Sequence, residues 1–412
     1  MTIPTRPQDD DGSPALGALT IGVIGAGAMG AGIAQVAAAH GHRVLIADAQ
    51  PAAIARAHDT HTAAMARDVE KGRRSRDAAD AALARITYVD GVDAAQLARY
   101  GGCDFVIEAI VEQLPVKQEV FRALEAVVSD RAILASNTSS LSIAAIAGAC
   151  AHRDRVVGVH FFNPAPLMPL VEIIPAISTA PDVADMAARL VSSWGKTTVL
   201  VRDTPGFLVN RIARPFYGES LCLYDEQVAN PATIDWALTT IGGFRMGPFA
   251  LMDLIGNDVN FAVSRSVYEG TFHDPRYRPS VTQQRHVEAG WLGRKSGRGY
   301  YRYTDGHAGY DASAAFRDEA LGQRIVDRVL AMLVNEAAAA LDLGLASPAD
   351  IETAMTNGVN YPRGLLAWGD ALGPVNVLRR LEALQAEFGD PRYRPARTLQ
   401  RVVRDGGRLV DG

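Results

Sequence analysis

The stretch Leu19-Thr-Ile-Gly-Val-Ile-Gly-Ala-Gly-Ala-Met-Gly30, followed one helix-length later by Arg43-Val-Leu-Ile-Ala-Asp48, decides the architecture. Leu19 to Ile24 reads as a short apolar strand, Ala31 to Ala39 as a helix and Arg43 to Ala47 as a second strand. Together they make a βαβ unit around a glycine-rich turn. Gly25 permits the tight turn, Gly27 lets backbone approach a pyrophosphate, and Gly30 lets the helix pack closely on the strand. The helix N-terminus adds amide donors and the positive end of its dipole. Asp48, closing the second strand, can accept from a ribose 2′-hydroxyl and repel a 2′-phosphate, which predicts NAD over NADP. A fingerprint of this kind standing alone is weak, but here the strand, the helix and the acid are all in place.

Around this unit the composition is that of a soluble globular protein. At 412 residues, 48% hydrophobic, the chain is long enough for two or three domains with cores of their own. A formal charge of −5 implies no nucleic-acid partner, and no apolar run approaches a membrane span. Residues 1–18, rich in Pro, Asp, Gly and Ala, read as a disordered tail without the pattern of an export signal. Cys103, Cys150 and Cys222 are odd in number and lack metal-ligand spacing, so neither a disulfide framework nor a zinc site is expected. A reducing cytoplasm is the expected location.

Residues 52–85 read as helices interrupted by Lys71-Gly-Arg-Arg-Ser-Arg76. That basic knot is either a solvated helix end or a clamp in which Lys71, Arg73 and Arg74 meet ligand phosphates. Ile86–Val89 and Cys103–Ile107 read as further strands, and Glu108 to Glu112 and Ser136 fall at carboxyl ends of strands, where open α/β sheets place ligands. Next come Ser136-Asn-Thr-Ser-Ser140 and Gly158-Val-His-Phe-Phe-Asn-Pro-Ala-Pro-Leu-Met-Pro-Leu-Val-Glu172. They supply a hydroxyl-rich turn, one imidazole and one carboxylate, the parts needed to oxidise an alcohol: a histidine takes the hydroxyl proton while the carbon gives hydride to a nicotinamide. By itself His160, beside Phe161 and Phe162, reads more readily as a packed, hydrogen-bonded core residue than as a base. Thr198–Val201 reads as the last strand and Asp203-Thr-Pro-Gly206 as a domain boundary. Beyond it, Asp274-Pro-Arg-Tyr-Arg-Pro279 recurs as Asp390-Pro-Arg-Tyr-Arg-Pro395, and Pro231-Ala-Thr-Ile-Asp235 parallels Pro348-Ala-Asp-Ile-Glu352. Two homologous helical units joined by a Gly-rich linker follow from that repeat.

The fingerprint, Ser-Asn-Thr-Ser-Ser, His-Phe-Phe-Asn-Pro and Asp203-Thr-Pro-Gly-Phe-Leu-Val-Asn-Arg211, in that order over residues 19–303, resemble the L-3-hydroxyacyl-CoA dehydrogenase family. The resemblance implies a Rossmann-like α/β NAD-binding domain at 19–202 and an all-α domain at 203–303. A linker at 304–319 and a degenerate all-α repeat at 320–407 would follow. It implies His160 as base, Glu172 as its partner, and Ser139 and Asn210 as ligands of the substrate oxygen. Gly25, Gly27, Met29, Gly30 and Asp48 would hold NAD, with Glu112, Lys117, Asn163 and Lys295 on the nicotinamide side. The expected activity is NAD-dependent oxidation of a short 3-hydroxyacyl-CoA, such as hydroxybutyryl or a short dicarboxylic acyl. A dehydrogenase of a free 3-hydroxy acid, like L-gulonate dehydrogenase or lambda-crystallin, and a catalytically silent NAD-binding protein are the alternatives. The second repeat aligns Asp327 with Asn210 and reads as structural: a homodimer through the helical domains, or an intrachain pseudo-dimer in which the repeats bury the surface single-unit members bury by dimerising.

Overall fold

Eight strands make one sheet in the first part of the chain: β1 (Thr20–Ile24), β2 (Arg43–Asp48), β3 (Ile86–Asp90), β4 (Phe105–Glu108), β5 (Ile133–Ser136), β6 (Val156–Phe161), β7 (Leu170–Pro175) and β8 (Thr197–Leu200). Their spatial order is β3-β2-β1-β4-β5-β6-β7-β8. The computed structural model describes residues 17–304 and 314–412. It divides into two units, Met1–Asp203 and Thr204–Gly412. Most of the expected tail and much of the expected linker lie outside the described residues.

Strands β3 to β6 run parallel, and β1, β4, β5 and β6 are buried along their whole length, as strands covered on both faces must be. The chain moves outward from β1 through β2 and β3, then returns to add β4 on the other side of β1. The crevice at the carboxyl ends of β1 and β4 is the place where a doubly wound sheet takes its ligand. Helix α1 (Ala28–Ala39) starts three residues before the sequence reading, taking Met29 and Gly30 into its first turn. Strand β7 is antiparallel to β6. Only residues 162–169 separate the two strands, too few for the crossover a parallel pairing needs.

The second unit is helical and repeats itself. Asp235 accepts N–H bonds from Phe249 and Ala250 at 2.9 Å each, and its counterpart Glu352 accepts from Leu366 at 2.7 Å and Ala367 at 3.1 Å. Gly247 and Gly364 occupy matching places because a Cβ there would fall 2.3 Å from Asp235 and 2.0 Å from Glu352 respectively. The halves also exchange partners. Glu336, fully buried on the Glu319–Asp342 helix, takes Tyr277 and the guanidinium groups of Arg211 and Arg276, both at 3.4 Å. Glu219, on the Arg214–Asp225 helix, takes Tyr393 at 2.7 Å and Arg328 at 2.5 Å. Arg278 meets Asp390 at 3.5 Å while Arg394 meets Asp274 at 3.7 Å. This reciprocity gives the unit a two-fold character within one chain.

Candidate active site

Gly25 has φ +103, and a Cβ there would lie 2.5 Å from the Ala109 carbonyl, so both conformation and space require glycine. A Cβ on Gly30 would meet the Gly25 carbonyl at 1.8 Å. Gly27 differs: a Cβ there meets nothing within 4 Å, so packing within the protein does not require glycine at that place. No side chain caps α1, which leaves its first N–H groups as donors. A cleft of about 340 Å³ opens here, lined by Gly25, Gly27, Asp48, Ile110 and Val111 among others. Asp48 Oδ2 accepts from Ala26 N–H at 2.7 Å and Oδ1 from Gln50 N–H at 2.8 Å, and each oxygen keeps a lone pair for a ribose hydroxyl. These residues fit a dinucleotide. Met29 is half-buried against the core behind the turn.

The hydroxyl-rich turn after β5 is organised by carboxylates at the end of β4. Glu112 Oε1 accepts from Thr138 Oγ1 at 2.6 Å, from Ser139 N–H at 3.0 Å and Oγ at 3.4 Å, and from Ser140 Oγ at 2.9 Å. Burial alone would raise the Glu112 pKa. Lys117 and the bonds from Thr138, Ser140 and Ser139 outweigh it and hold the carboxyl below its ordinary range. Lys117 is 1% exposed, with its ammonium 2.5 Å from Glu108 and 3.3 Å from Glu112. Its charge is paired inside the protein, with Glu112 as one of its partners. Glu108, fully buried, completes the network through Ser136 Oγ at 2.7 Å and Ile110 N–H at 2.7 Å. The sequence reading placed Glu108 and Ser136 at strand ends but gave them no part; the available signal was an acid closing the otherwise apolar strand β4.

His160 and Glu172 face each other as register partners on β6 and β7. Nδ1 lies 2.7 Å from Glu172 Oε2, with the carboxylate fully buried and the imidazole 7% exposed. The Phe162 ring stands 4.6 Å from the imidazole. Asn137 Oδ1 accepts Phe161 N–H at 2.8 Å, tying the hydroxyl turn to β6. Asn163 begins the proline-rich connection and borders, with Pro164, Gly27 and Gly32, a groove of about 780 Å³. Of the basic knot, Arg73 and Arg74 reach this groove, and Arg56 and Arg67 of helix α2 (Pro51–Glu70), not anticipated from the sequence, join them. Lys71 is exposed and does not line it.

Two expected residues belong to the second unit and are described there by themselves. Asn210 lies in the helical turn Val209–Ile212, its carbonyl accepting from Arg214 Nε at 2.7 Å. Its counterpart in the repeat, Asp327, is held by Arg380 at 2.8 Å and by Gln323 at 2.7 Å. Lys295 is exposed and paired with Asp258 at 2.6 Å.

Comparison with known proteins places these features. The family model described as 3-hydroxyacyl-CoA dehydrogenase, NAD binding domain, matches residues 20–204. The model of the same family's C-terminal domain matches twice, at 206–303 and 325–409. The chain is 38% identical to 3-hydroxyadipyl-CoA dehydrogenase of Escherichia coli K12 over 94% of its own length and 98% of that protein's. It is 41% identical to a probable 3-hydroxybutyryl-CoA dehydrogenase of Bacillus subtilis, over 69% of this chain and 96% of the relative. The crystal structure of an E. coli 3-hydroxybutyryl-CoA dehydrogenase superposes with a TM-score of 0.87 at 38% identity, covering 95% of this chain and 99% of that one. Among the described residues no helix is long and apolar enough to cross a membrane.

Proposed function

Since the chain belongs to the 3-hydroxyacyl-CoA dehydrogenase family of NAD-dependent oxidoreductases, we propose that it interconverts a short-chain L-3-hydroxyacyl-CoA and its 3-oxoacyl-CoA, with His160 as base. The observation that carries this reading is the 2.7 Å contact between His160 Nδ1 and the buried Glu172 carboxylate. NAD, when bound, supplies the hydride acceptor. Glu172 fixes the imidazole tautomer that keeps the proton on Nδ1, so Nε2 carries the lone pair that takes the hydroxyl proton. It also offsets the charge of the imidazolium that results. Ser139 and Asn210 would donate to the substrate 3-oxygen, and Glu112 sets the Ser139 hydroxyl by holding its N–H and Oγ. Glu112 and Asn163 would border the nicotinamide in this reading, with Lys117 acting through Glu112.

Arg73 and Arg74 at the groove support the thioester reading over the free acid, because of the two substrates only the CoA ester brings phosphates of its own. The test follows NADH consumption with acetoacetyl-CoA, free acetoacetate and a free sugar acid assayed in reverse. Turnover confined to the thioester is the expected result. Turnover of the free acids alone would overturn the proposal in favour of a free-acid dehydrogenase.

A further inference from the structure

Of the 41 Lys and Arg residues in the chain, only Lys71, Lys117, Lys196 and Lys295 are lysines. Lys117 is held by Glu108 and Glu112, Lys295 by Asp258, and Lys71 is exposed. Lys196 differs from all three. It is half-buried, and its ammonium donates to the carbonyls of Ala165 at 2.7 Å, Met168 at 2.8 Å and Pro166 at 3.3 Å. No carboxylate of the described residues joins them, and burial pulls the Lys196 pKa below the ordinary lysine value. An ammonium carries three donors around one nitrogen, whereas a guanidinium spreads its donors over a planar fork. Three carbonyls turned toward one point suit the first, in a chain that elsewhere uses arginine almost throughout.

All three carbonyls belong to the connection between β6 and β7, residues 162–169. Lys196 reaches them from the turn before β8, where Gly195 has φ +69 and Thr197 N–H donates to the Pro169 carbonyl at 2.8 Å. Pro164, Pro166 and Pro169 fix φ at their own positions, but the direction of a carbonyl follows ψ, which proline leaves free. Lys196 supplies that missing restraint. The same stretch rests on α1: a Cβ on Gly32 would lie 2.9 Å from Pro166 Cδ and 3.2 Å from Ala165 Cβ, so glycine there lets the connection come down onto the helix that follows the dinucleotide turn. The connection opens with Phe162, whose ring stands 4.6 Å from the His160 imidazole, and Asn163, on the rim of the groove. Its backbone is therefore the base from which both side chains are aimed.

We propose that Lys196 is a positioning residue for hydride transfer: by gathering the Ala165, Pro166 and Met168 carbonyls it sets Asn163 against the nicotinamide and Phe162 against His160. The proposal rests on the reading of Asn163 as a nicotinamide-side contact. Lys196 touches neither cofactor nor substrate and acts through the backbone it holds. Its effect belongs to the nicotinamide end of the cofactor and to the rate, and leaves the adenosine end at Gly27 and Asp48 untouched.

The experiment titrates NADH, and separately ADP-ribose, which lacks the nicotinamide, against wild type, K196M, N163A and the double variant. N163A is expected to weaken NADH by about three- to tenfold, the scale of one hydrogen bond, and to leave ADP-ribose unchanged. K196M shows the same selective loss, adds nothing to it in the double variant, and lowers kcat with acetoacetyl-CoA by about tenfold or more. An equal loss of both ligands in K196M overturns the proposal, marking Lys196 as a support of the fold alone. So do unchanged NADH binding in K196M and additive losses in the double variant. Should K196M fail to fold, K196R decides, because its planar fork keeps the charge without converging on three carbonyls: a selective NADH loss is expected, and wild-type behaviour overturns the proposal. N163A without a selective NADH loss would defeat the reading of Asn163 and this proposal with it, a result distinct from a selective loss in N163A that K196M lacks.

Discussion

Glu108 is the residue on which the first unit's polar network turns. In Glu108→Gln an amide replaces an acceptor that serves Lys117 at 2.5 Å, Ser136 at 2.7 Å and Ile110 N–H at 2.7 Å. The buried ammonium of Lys117 then keeps the Ile110 carbonyl at 3.5 Å and, as charged partner, Glu112 at 3.3 Å and partly exposed to water. Removing one member of a buried ion pair costs about 3–5 kcal/mol. Glu112 offsets part of that loss, so about 3 kcal/mol is expected, a large share of the roughly 5–15 kcal/mol that holds a domain together. Lys117→Met should cost a similar amount, whereas the double variant, with neither charge left inside, should lose less than the sum of the two by about 1.5 kcal/mol or more. Amide hydrogen exchange of β4 and β5 during urea titration reports the first unit separately from the second. Strictly additive single losses, or a Glu108→Gln effect below about 1 kcal/mol, would refute the reasoning.

His160→Gln should lower kcat by about 10²-fold or more, the worth of a general base, while NADH binding measured by fluorescence titration stays unchanged. An unaltered rate would remove His160 from the mechanism. The Glu112 pKa is held below that of the unfolded chain, so its contribution to stability is fully present above the ordinary carboxylate range and is lost as pH falls through the lowered value. Glu112→Gln should therefore flatten the acid side of a Tm against pH curve, and an unchanged acid side would contradict the assignment. Glu219→Gln and Glu336→Gln each leave buried arginine behind, so denaturant unfolding of the second unit should show losses of about 3 kcal/mol for both. One of the pair proving neutral would deny their equivalence.

The dinucleotide unit was legible because its demands are local: a glycine at positive φ, a strand of apolar residues and an acid at a strand end are properties of adjacent residues. The pairing of His160 with Glu172 followed from motif order, and its physical reason, an antiparallel register across a short proline-rich connection, became visible only in the sheet. The Glu108, Lys117 and Ser136 network was not legible, since it joins two strand ends and a helix through side chains whose spacing carries no period. The repeat, by contrast, was plain in the sequence, although the exchange of arginines and tyrosines between its halves was not.

Fusing the two helical halves into one chain frees each from being a copy of the other. In a symmetric homodimer every substitution is made twice, so a residue recruited to greet a ligand on one side must be tolerated at its mirror position as well. Here the Glu219 and Glu336 contacts keep their reciprocity, while Tyr361 has Phe244 and Asn210 has Asp327 as its counterpart in the repeat. Tethering also makes the association of the halves independent of protein concentration. The chain can thus specialise one flank for chemistry and the other for support, a division of labour closed to an assembly of identical subunits.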